Sequence, residues 1–574
     1  MRRFDVVVKD GLIFDGARTP RYRADIGIVD GRIAEIGRLS TGDAAEVLDA
    51  RGAHVAPGFV DLHTHYDSQV FWDPHCSISG WHGVTSVAVG NCGFGFAPVA
   101  PEGRERAMMS MVRTEAVPLA AMAEGLPWDW VSFPEYLDSL RRTPKAVNVA
   151  AFVPLNPLLV WTLGLERAKA GDKPTEAETA EMVRMVDEAM EAGACGFSLQ
   201  RKGLQGGQRD YDGTPMPTDV MHVETLMAFG EVLARRNAGF VEYSAKISDA
   251  HILEQLAEVS GRPILWNSVL TTDREPNRHR EALVWLRSCH DRGLRIVGQG
   301  LISAAGLVFS VADEFGSGTW DRVPAWQDAT SGPLEEKLRK LSDPDVRRKM
   351  KELIPESEAL PPMPEWVVYR GKSEATARFD ELKLKDVAAA VGKDLVDTFC
   401  DIVVQDGLRT EFYVEGLNTN RSLLKELIDE PTVLPGISDG GAHTKYSTLG
   451  RFTTEFLVDF VRDYAWVSLE DAHWRLSAYP AMCAGFTGRG VIAEGMAADL
   501  VVYDYDRLEI LPDEVVHDYP GGEWRRVQRA RGYRYVVVNG QVTIEDDAPA
   551  AARSGRLLDG RRPSTPAAAT TAPA

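Results

Sequence analysis

Between residues 175 and 300 the chain repeats one unit four times: a helix pattern, a glycine, then a short apolar strand. Thr175 followed by Glu178 is a capping-box signature, and Met182, Met185, Val186, Ala189 and Met190 then form one helix face before Gly193 and the strand ACGFSLQ. The unit recurs with Leu226, Phe229 and Leu233 before Gly239 and FVEYSAK, and with Ile252, Leu256 and Val259 before Gly261 and PILWNSV. Leu283 and Leu286 before Gly293 and RIVGQG complete the series. A helix between successive strands makes the strands parallel. Adding GFVDLHTH, TSVAVGNCG, VNVAAFVPL and TVLPGISDG gives about eight strands. Eight parallel strands close into a (β/α)8 TIM-type barrel, an α/β fold with its active groups at the C-terminal strand ends. A doubly wound open sheet is the structural alternative.

Both ends of the chain read differently. Residues 4 to 57 are short strands punctuated by Asp-Gly turns, and the same texture returns in AADLVVYDYD and in YRYVVVNGQVTIED, where Asn539-Gly540 is a hairpin signal. The expected organisation is a small β-sandwich from 1–57 plus 485–548 and a barrel over 58–484. A polar, helix-rich insertion near 301–430 contains PESEALPPMPEW and is expected over the barrel mouth as a lid. Residues 549–574, rich in Ala, Pro and Thr, are expected to be a disordered tail.

Charge narrows the class of partner. Against 64 Lys and Arg stand 84 Asp and Glu, a net charge of −20, which repels nucleic acid and anionic membranes and leaves a small molecule as the expected substrate. No run approaches the ~20 apolar residues of a membrane span, and the valines near the start are too few for a signal-peptide core. A cytoplasmic protein is expected, and its size is compatible with a homo-oligomer. The six cysteines are scattered without close pairs, as suits reduced thiols.

The sharpest local signal is His63-Thr64-His65 at the end of a strand pattern, because residues two apart on a strand point the same way and present both imidazoles to one ion. Asp439, in Ser438-Asp439-Gly440-Gly441, can be a metal ligand and can take a proton from a metal-activated water; alone, it also reads as a turn residue. Cys92, in Gly90-Asn91-Cys92-Gly93, suits zinc as a thiolate, or is a small buried hydrophobe.

APGFVDLHTHYD (56 to 67), GVTSVAVGNCGFGFAP (83 to 98), GACGFS (193 to 198), SDGGAH (438 to 443), GMAADLVVYD (495 to 504) and VVVNG (536 to 540) occur in this order. With these motifs the chain resembles the amidohydrolase superfamily, and within it the D-aminoacylase, or N-acyl-D-amino-acid deacylase, branch. The resemblance implies the barrel, the small β-sandwich and metal-dependent hydrolysis of a C–N bond. It also implies metal ligands at His63, His65 and Cys92, and a catalytic base at Asp439. The family pattern further places metal-binding histidines at the ends of the fifth and sixth strands. Here those strands read Val241-Glu242-Tyr243-Ser244-Ala245-Lys246 and Leu265-Trp266-Asn267-Ser268-Val269. Their loss calls a binuclear centre into question.

Three repairs are conceivable. His443 could turn toward the metal or touch substrate; Lys246 could bind a substrate anion or, carbamylated, become a ligand; Tyr66, with Asp67, Gln69 and Trp72, could shape the pocket. The expected function is a hydrolase that cleaves an amide-type bond in an N-acyl-D-amino-acid-like substrate, with a divalent metal, expected to be Zn2+, activating water and Asp439 as general base. The alternatives are a hydrolase of the same fold acting on a lactone, cyclic amide or C–C bond, and a noncatalytic binding protein with a degraded metal site.

Overall fold

The computed structural model describes residues 3–204, 208–313, 323–355 and 362–560. Eight strands, β1 (Phe59–Asp61), β2 (Val84–Val89), β3 (Asn148–Pro154), β4 (Gly196–Arg201), β5 (Phe240–Ala245), β6 (Ile264–Val269), β7 (Ile296–Leu301) and β8 (Leu434–Gly436), run parallel in sequence order. Val87 lies opposite Val149 and Ser244 opposite Asn267, and the register shifts between Phe59 and Val60 and between Asn267 and Val269. Closure comes just beyond the first and last strands, where Thr64 pairs with Gly440 and His65 N donates to Gly440 O at 2.7 Å. This is the expected (β/α)8 barrel.

Its helices form for reasons visible in the chain. Glu176–Ala192 starts at Thr175, whose hydroxyl accepts Glu178 N at 3.2 Å while the Glu178 carboxylate accepts Thr175 N at 2.8 Å. Met182, Val186, Ala189 and Met190 bury its inner face, and Gly193 ends it at φ 112°, a left-handed conformation that glycine adopts without strain.

Strands from both chain ends build one nine-stranded sheet, in which Val55 of His54–Pro57 pairs antiparallel with Val502 of Leu500–Tyr503. Val8, Ile26, Ile28, Leu500 and Val537 pack in its core. The hairpin Glu509–Val516 and Arg525–Arg531 leaves this region and reaches the barrel mouth, where Arg526 N donates to Thr444 O at 2.7 Å.

Between β7 and β8 the chain builds a three-stranded sheet (Ala305–Phe309, Glu411–Leu417, Val367–Arg370) flanked by helices. It has its own core around Trp326, Trp366, Phe399 and Phe412. Ala116 and Tyr446, from loops at the barrel mouth, join that core, so the insertion rests on the loops that carry the site. Residues 356–361 of PESEALPPMPEW lie outside the described residues.

The expectation of disorder from 549 onward is corrected for 549–560. Val149 N donates to Arg556 O (2.9 Å), Leu558 N to Val149 O (2.7 Å) and Gly555 N to Lys145 O (2.8 Å), while Leu558 is buried. An Ala-rich composition gave no hint that free backbone groups at the N-terminal end of β3 would capture this segment; residues 561–574 lie outside the described residues. All six cysteines are free thiols, and no helix among the described residues is long and apolar enough to cross a membrane.

Candidate metal centre and active site

Just past β1 the chain keeps its alternation. Thr64 turns outward, its hydroxyl donating to Ala88 O of β2 at 2.7 Å, so His63 and His65 turn inward together. Both are buried. Cys92 joins them from the turn after β2, where it holds φ 57° between Gly90 and Gly93, both at positive φ. That turn is pinned by Asn91, whose Nδ2 donates to Thr64 O and Ala88 O, each at 2.9 Å. One donor atom from each of His63, His65 and Cys92 lies within 4.8 Å of the others.

Asp439 flanks this cluster from the turn after β8. Its Oδ1 is 3.3 Å from His63 Nε2 and 3.9 Å from His65 Nε2. Glycine is required at 440, where an added Cβ would sit 2.6 Å from Tyr66 Oη, and at 441, where φ is +92° and a Cβ would lie 2.6 Å from His65 O. The glycines therefore let the base approach the histidines. Ser438 Oγ donates to His63 O at 3.2 Å and ties the two strand ends together.

Burial governs the protonation states. It pushes the Asp439 carboxyl up to about 6, opposed by the positive charge of Lys202, and lowers His63 to about 3, helped by the same lysine. His65 is held well below the ordinary histidine value by burial, with His63 next in effect. The imidazoles are thus neutral, as ligands must be. Burial, then the Glu242 and Glu115 carboxylates, pushes the Cys92 thiol well up, so a cation is needed to draw off its proton.

Glu242 of β5 and Asn267 of β6 face the cluster from the two strands on which the sequence resemblance implies histidines. Glu242 is fully buried; its Oε2 accepts Cys92 N at 2.6 Å, and Oε1 accepts Ser244 Oγ at 2.9 Å and Asn267 Nδ2 at 2.5 Å. Burial raises it to about 7, partly offset by the Cys92 N–H. Asn267 Nδ2 also lies 2.7 Å from His63 Nδ1, while Asn267 Oδ1 has no partner. A metal on His63 Nε2 needs a proton on Nδ1 and an acceptor for it. A half-turn of the carboxamide presents Oδ1 for that purpose, and a protonated Glu242 can donate to the same oxygen. The donor set therefore fits one borderline divalent ion on two imidazoles and a thiolate, with Asp439 beside it.

The remaining expected residues fall elsewhere. Tyr66, expected to shape the pocket as a substrate-binding candidate, is fully buried under Gly440, with its hydroxyl bonded to Ser79 Oγ at 2.9 Å and Ser79 N at 3.2 Å; it supports the Asp439 turn. Lys246 is corrected too. Its place in the alternation after Glu242 and Ser244 is inward, but β5 stops at Ala245 and the turn Ile247–Asp249 carries Lys246 out to solvent. His443 lies outside the three-donor cluster, on the rim, with Nε2 3.4 Å from Glu115 Oε2. Gln69 is spent on structure, donating to Ser77 O at 2.7 Å.

Two residues that sequence reasoning missed complete the site. Glu115, nearly inaccessible at the end of helix Arg104–Glu115, sets Oε2 3.6 Å from His65 Nε2; burial, then Asp439, raises its carboxyl well above the ordinary value. Lys202 follows β4, and its charge bears on His63, His65, Glu115, Asp439 and His443. Glu115 stands in no motif spacing, and the alternation of β4 was the one signal available for Lys202. Behind Phe94, whose ring centroid is 6.4 Å from that of His65, an apolar cavity of about 310 Å3 is lined by Val99, Met111, Val160, Trp161 and Met216.

Comparison with known proteins places this arrangement. A model of the Amidohydrolase family matches residues 46–544. D-aminoacylase of Alcaligenes xylosoxydans xylosoxydans is 27% identical, with 97% of each chain covered, and N-acyl-D-glutamate deacylase of the same organism is 28% identical over 97% of this chain and 96% of its own. A crystal structure of D-aminoacylase superposes with a TM-score of 0.65 at 22% identity, over 97% of this chain and all of the other. N-acyl-D-glutamate deacylase from Bordetella bronchiseptica, complexed with zinc and a phosphonate inhibitor, does so with a TM-score of 0.65 at 23% identity, again over 97% of this chain and all of the other. With a family match that runs from the terminal sheet through the whole barrel, the chain belongs to the Amidohydrolase family and is a hydrolase of carbon–nitrogen bonds other than peptide bonds.

Proposed function

We propose that this chain hydrolyses the amide bond of an N-acyl-D-amino-acid-like substrate with one divalent metal ion per chain, held by His63, His65 and Cys92, and with Asp439 as general base. The observation that carries the reading is the convergence of those three donor groups within 4.8 Å, with Asp439 Oδ1 at 3.3 and 3.9 Å from the two imidazoles. Zinc suits a nitrogen-and-sulfur donor set. When bound, such an ion supplies Lewis acidity that polarises the amide carbonyl and acidifies a water.

The residues of the chain do the rest. Asp439, raised by burial to about 6 in the metal-free chain, is placed beside both imidazoles to take a proton from the attacking water and return it to the leaving nitrogen. Glu242 and Asn267 hold the Cys92 turn and orient His63, and they replace the two histidines that a second ion would use, which favours a mononuclear centre. The substrate class is supported by the names of the relatives that span the full chain, D-aminoacylase and N-acyl-D-glutamate deacylase. Helix Arg104–Glu115 and the turn after β2 border both the site and the apolar cavity, which gives an apolar substituent room beside the reacting bond.

The test is metal analysis of the purified protein together with a screen of N-acyl-D-amino acids, N-acyl-L-amino acids, cyclic amides and lactones. One zinc per chain with hydrolysis of the first group is the expected result. Turnover confined to lactones or cyclic amides would replace the substrate assignment, and full activity after removal of all metal would refute the mechanism.

A further inference from the structure

Ser198 and Gln200 alternate inward along β4, and Lys202, in step with them, follows the strand end into the barrel mouth. Ser198 Oγ bonds the turn that carries Cys92, accepting Gly93 N at 3.0 Å, and Gln200 is buried with an Oε1 that has no partner. The buried Asp219 carboxylate fixes the next residues by accepting Lys202 N at 2.6 Å and Gly203 N at 3.1 Å. The Lys202 ammonium donates to Gln208 Oε1 at 2.6 Å, and Gln208 Nε2 donates to Glu115 Oε1 at 3.0 Å. The other oxygen of Glu115 faces His65 and His443. A hydrogen-bonded chain thus leads from the lysine to Glu115, whose second oxygen stands 3.6 and 3.4 Å from the two imidazoles. The neighbouring cation is committed elsewhere, since Arg201 pairs with Asp249 at 2.8 Å.

An ammonium has three protons to donate and attracts a negative charge placed beside it. Its presence here favours an arriving anion, and the α-carboxylate of an N-acyl amino acid lies only two bonds beyond the nitrogen that Asp439 would protonate. We propose that Lys202 recognises a carboxylate on the substrate and makes this chain selective for N-acyl amino acids over the corresponding neutral amides. The assignment rests on the amide-hydrolase reading above.

Binding and turnover are measured separately, so that the two ideas can fail separately. The zinc-loaded D439N variant, which should bind substrate without cleaving it, is titrated by calorimetry with N-acetyl-D-leucine and with N-acetyl-D-leucinamide. The acid should bind on the order of 10- to 100-fold more tightly, the worth of a charge-assisted bond; adding Lys202→Met should shrink the difference to about threefold or less, while Lys202→Arg keeps most of it. In the otherwise native enzyme, Lys202→Met should raise KM for the acid by a larger factor than it changes kcat. Equal affinity for acid and amide, a preference that survives Lys202→Met, or binding of neither compound overturns the proposal. Failure of the native enzyme to cleave either compound, with the binding preference intact, counts against the amide-hydrolase reading and leaves Lys202 as an anion-recognising residue.

Discussion

Replacing Asp439 with asparagine keeps the size of the side chain and removes its charge. Burial raises this carboxyl from an ordinary value of 3.8 to about 6, so its proton is bound more tightly in the folded chain than in the unfolded one. Such a group costs the fold nothing below the unfolded value, and the cost grows as pH rises through the folded value. At about pH 8 the penalty in the metal-free protein is about 3 kcal/mol, an upper figure because the side chain is 25% exposed. Metal-free D439N should therefore be more stable than the parent by up to about 3 kcal/mol at about pH 8, and by only about 1 kcal/mol at about pH 4.5. The same substitution should lower kcat/KM of the zinc-loaded enzyme by about 10²- to 10⁴-fold, the usual worth of a general base. Urea midpoints of chelator-dialysed parent and variant at the two pH values, with kinetics on the reloaded enzymes, read both effects. Equal stability at the higher pH, or a gain of the same size at both, would refute the reasoning about burial. Undiminished turnover would remove Asp439 from the mechanism.

Three further outcomes are expected. With cobalt in place of zinc, the protein should show the near-ultraviolet band of a thiolate–cobalt bond, and Cys92→Ser should abolish it; a band that survives would place the sulfur outside the metal's reach. Asn267→Ala removes the acceptor for His63 Nδ1–H and should weaken metal binding by about 10- to 100-fold in competition with a chelator, whereas unchanged affinity would mean that Asn267 does not orient the ligand. A chain ending at Arg553 loses the backbone bonds made by Gly555, Arg556 and Leu558 and the burial of Leu558, and should be about 2 to 4 kcal/mol less stable than one ending at Gly560; equal urea midpoints would show that the segment only lies on the barrel.

The barrel was legible because its signals are local and periodic. Each helix pattern ended in a glycine and each strand was a short apolar run, and all eight such runs became β1 to β8. The convergence of His63, His65, Cys92 and Asp439 was legible for the same reason, since strand ends of a closed parallel barrel meet at one mouth. What escaped was set by where strands stop. Lys246 has inward parity on β5, yet the chain turns away one residue too soon, whereas Lys202 has inward parity on β4 and the Asp219 carboxylate holds the backbone on course. Glu115 reaches the site from a helix end, where neither spacing nor alternation marks it. The capture of residues 554–558 depends on unpaired backbone groups beside β3, which composition does not record.

The nine-stranded sheet sets a problem of timing during synthesis. The strand at Val55 is made early, but its partner at Val502 emerges only after nearly the whole barrel has been translated. At about 5 to 20 residues per second, one edge of the N-terminal sheet stays open for roughly 20 to 90 seconds. An open edge such as His54–Pro57 is a template for pairing with another nascent chain. Yield should therefore depend on elongation rate and crowding of ribosomes on the message, and a circular permutant that brings residues 500–549 ahead of Phe4 should relieve that dependence.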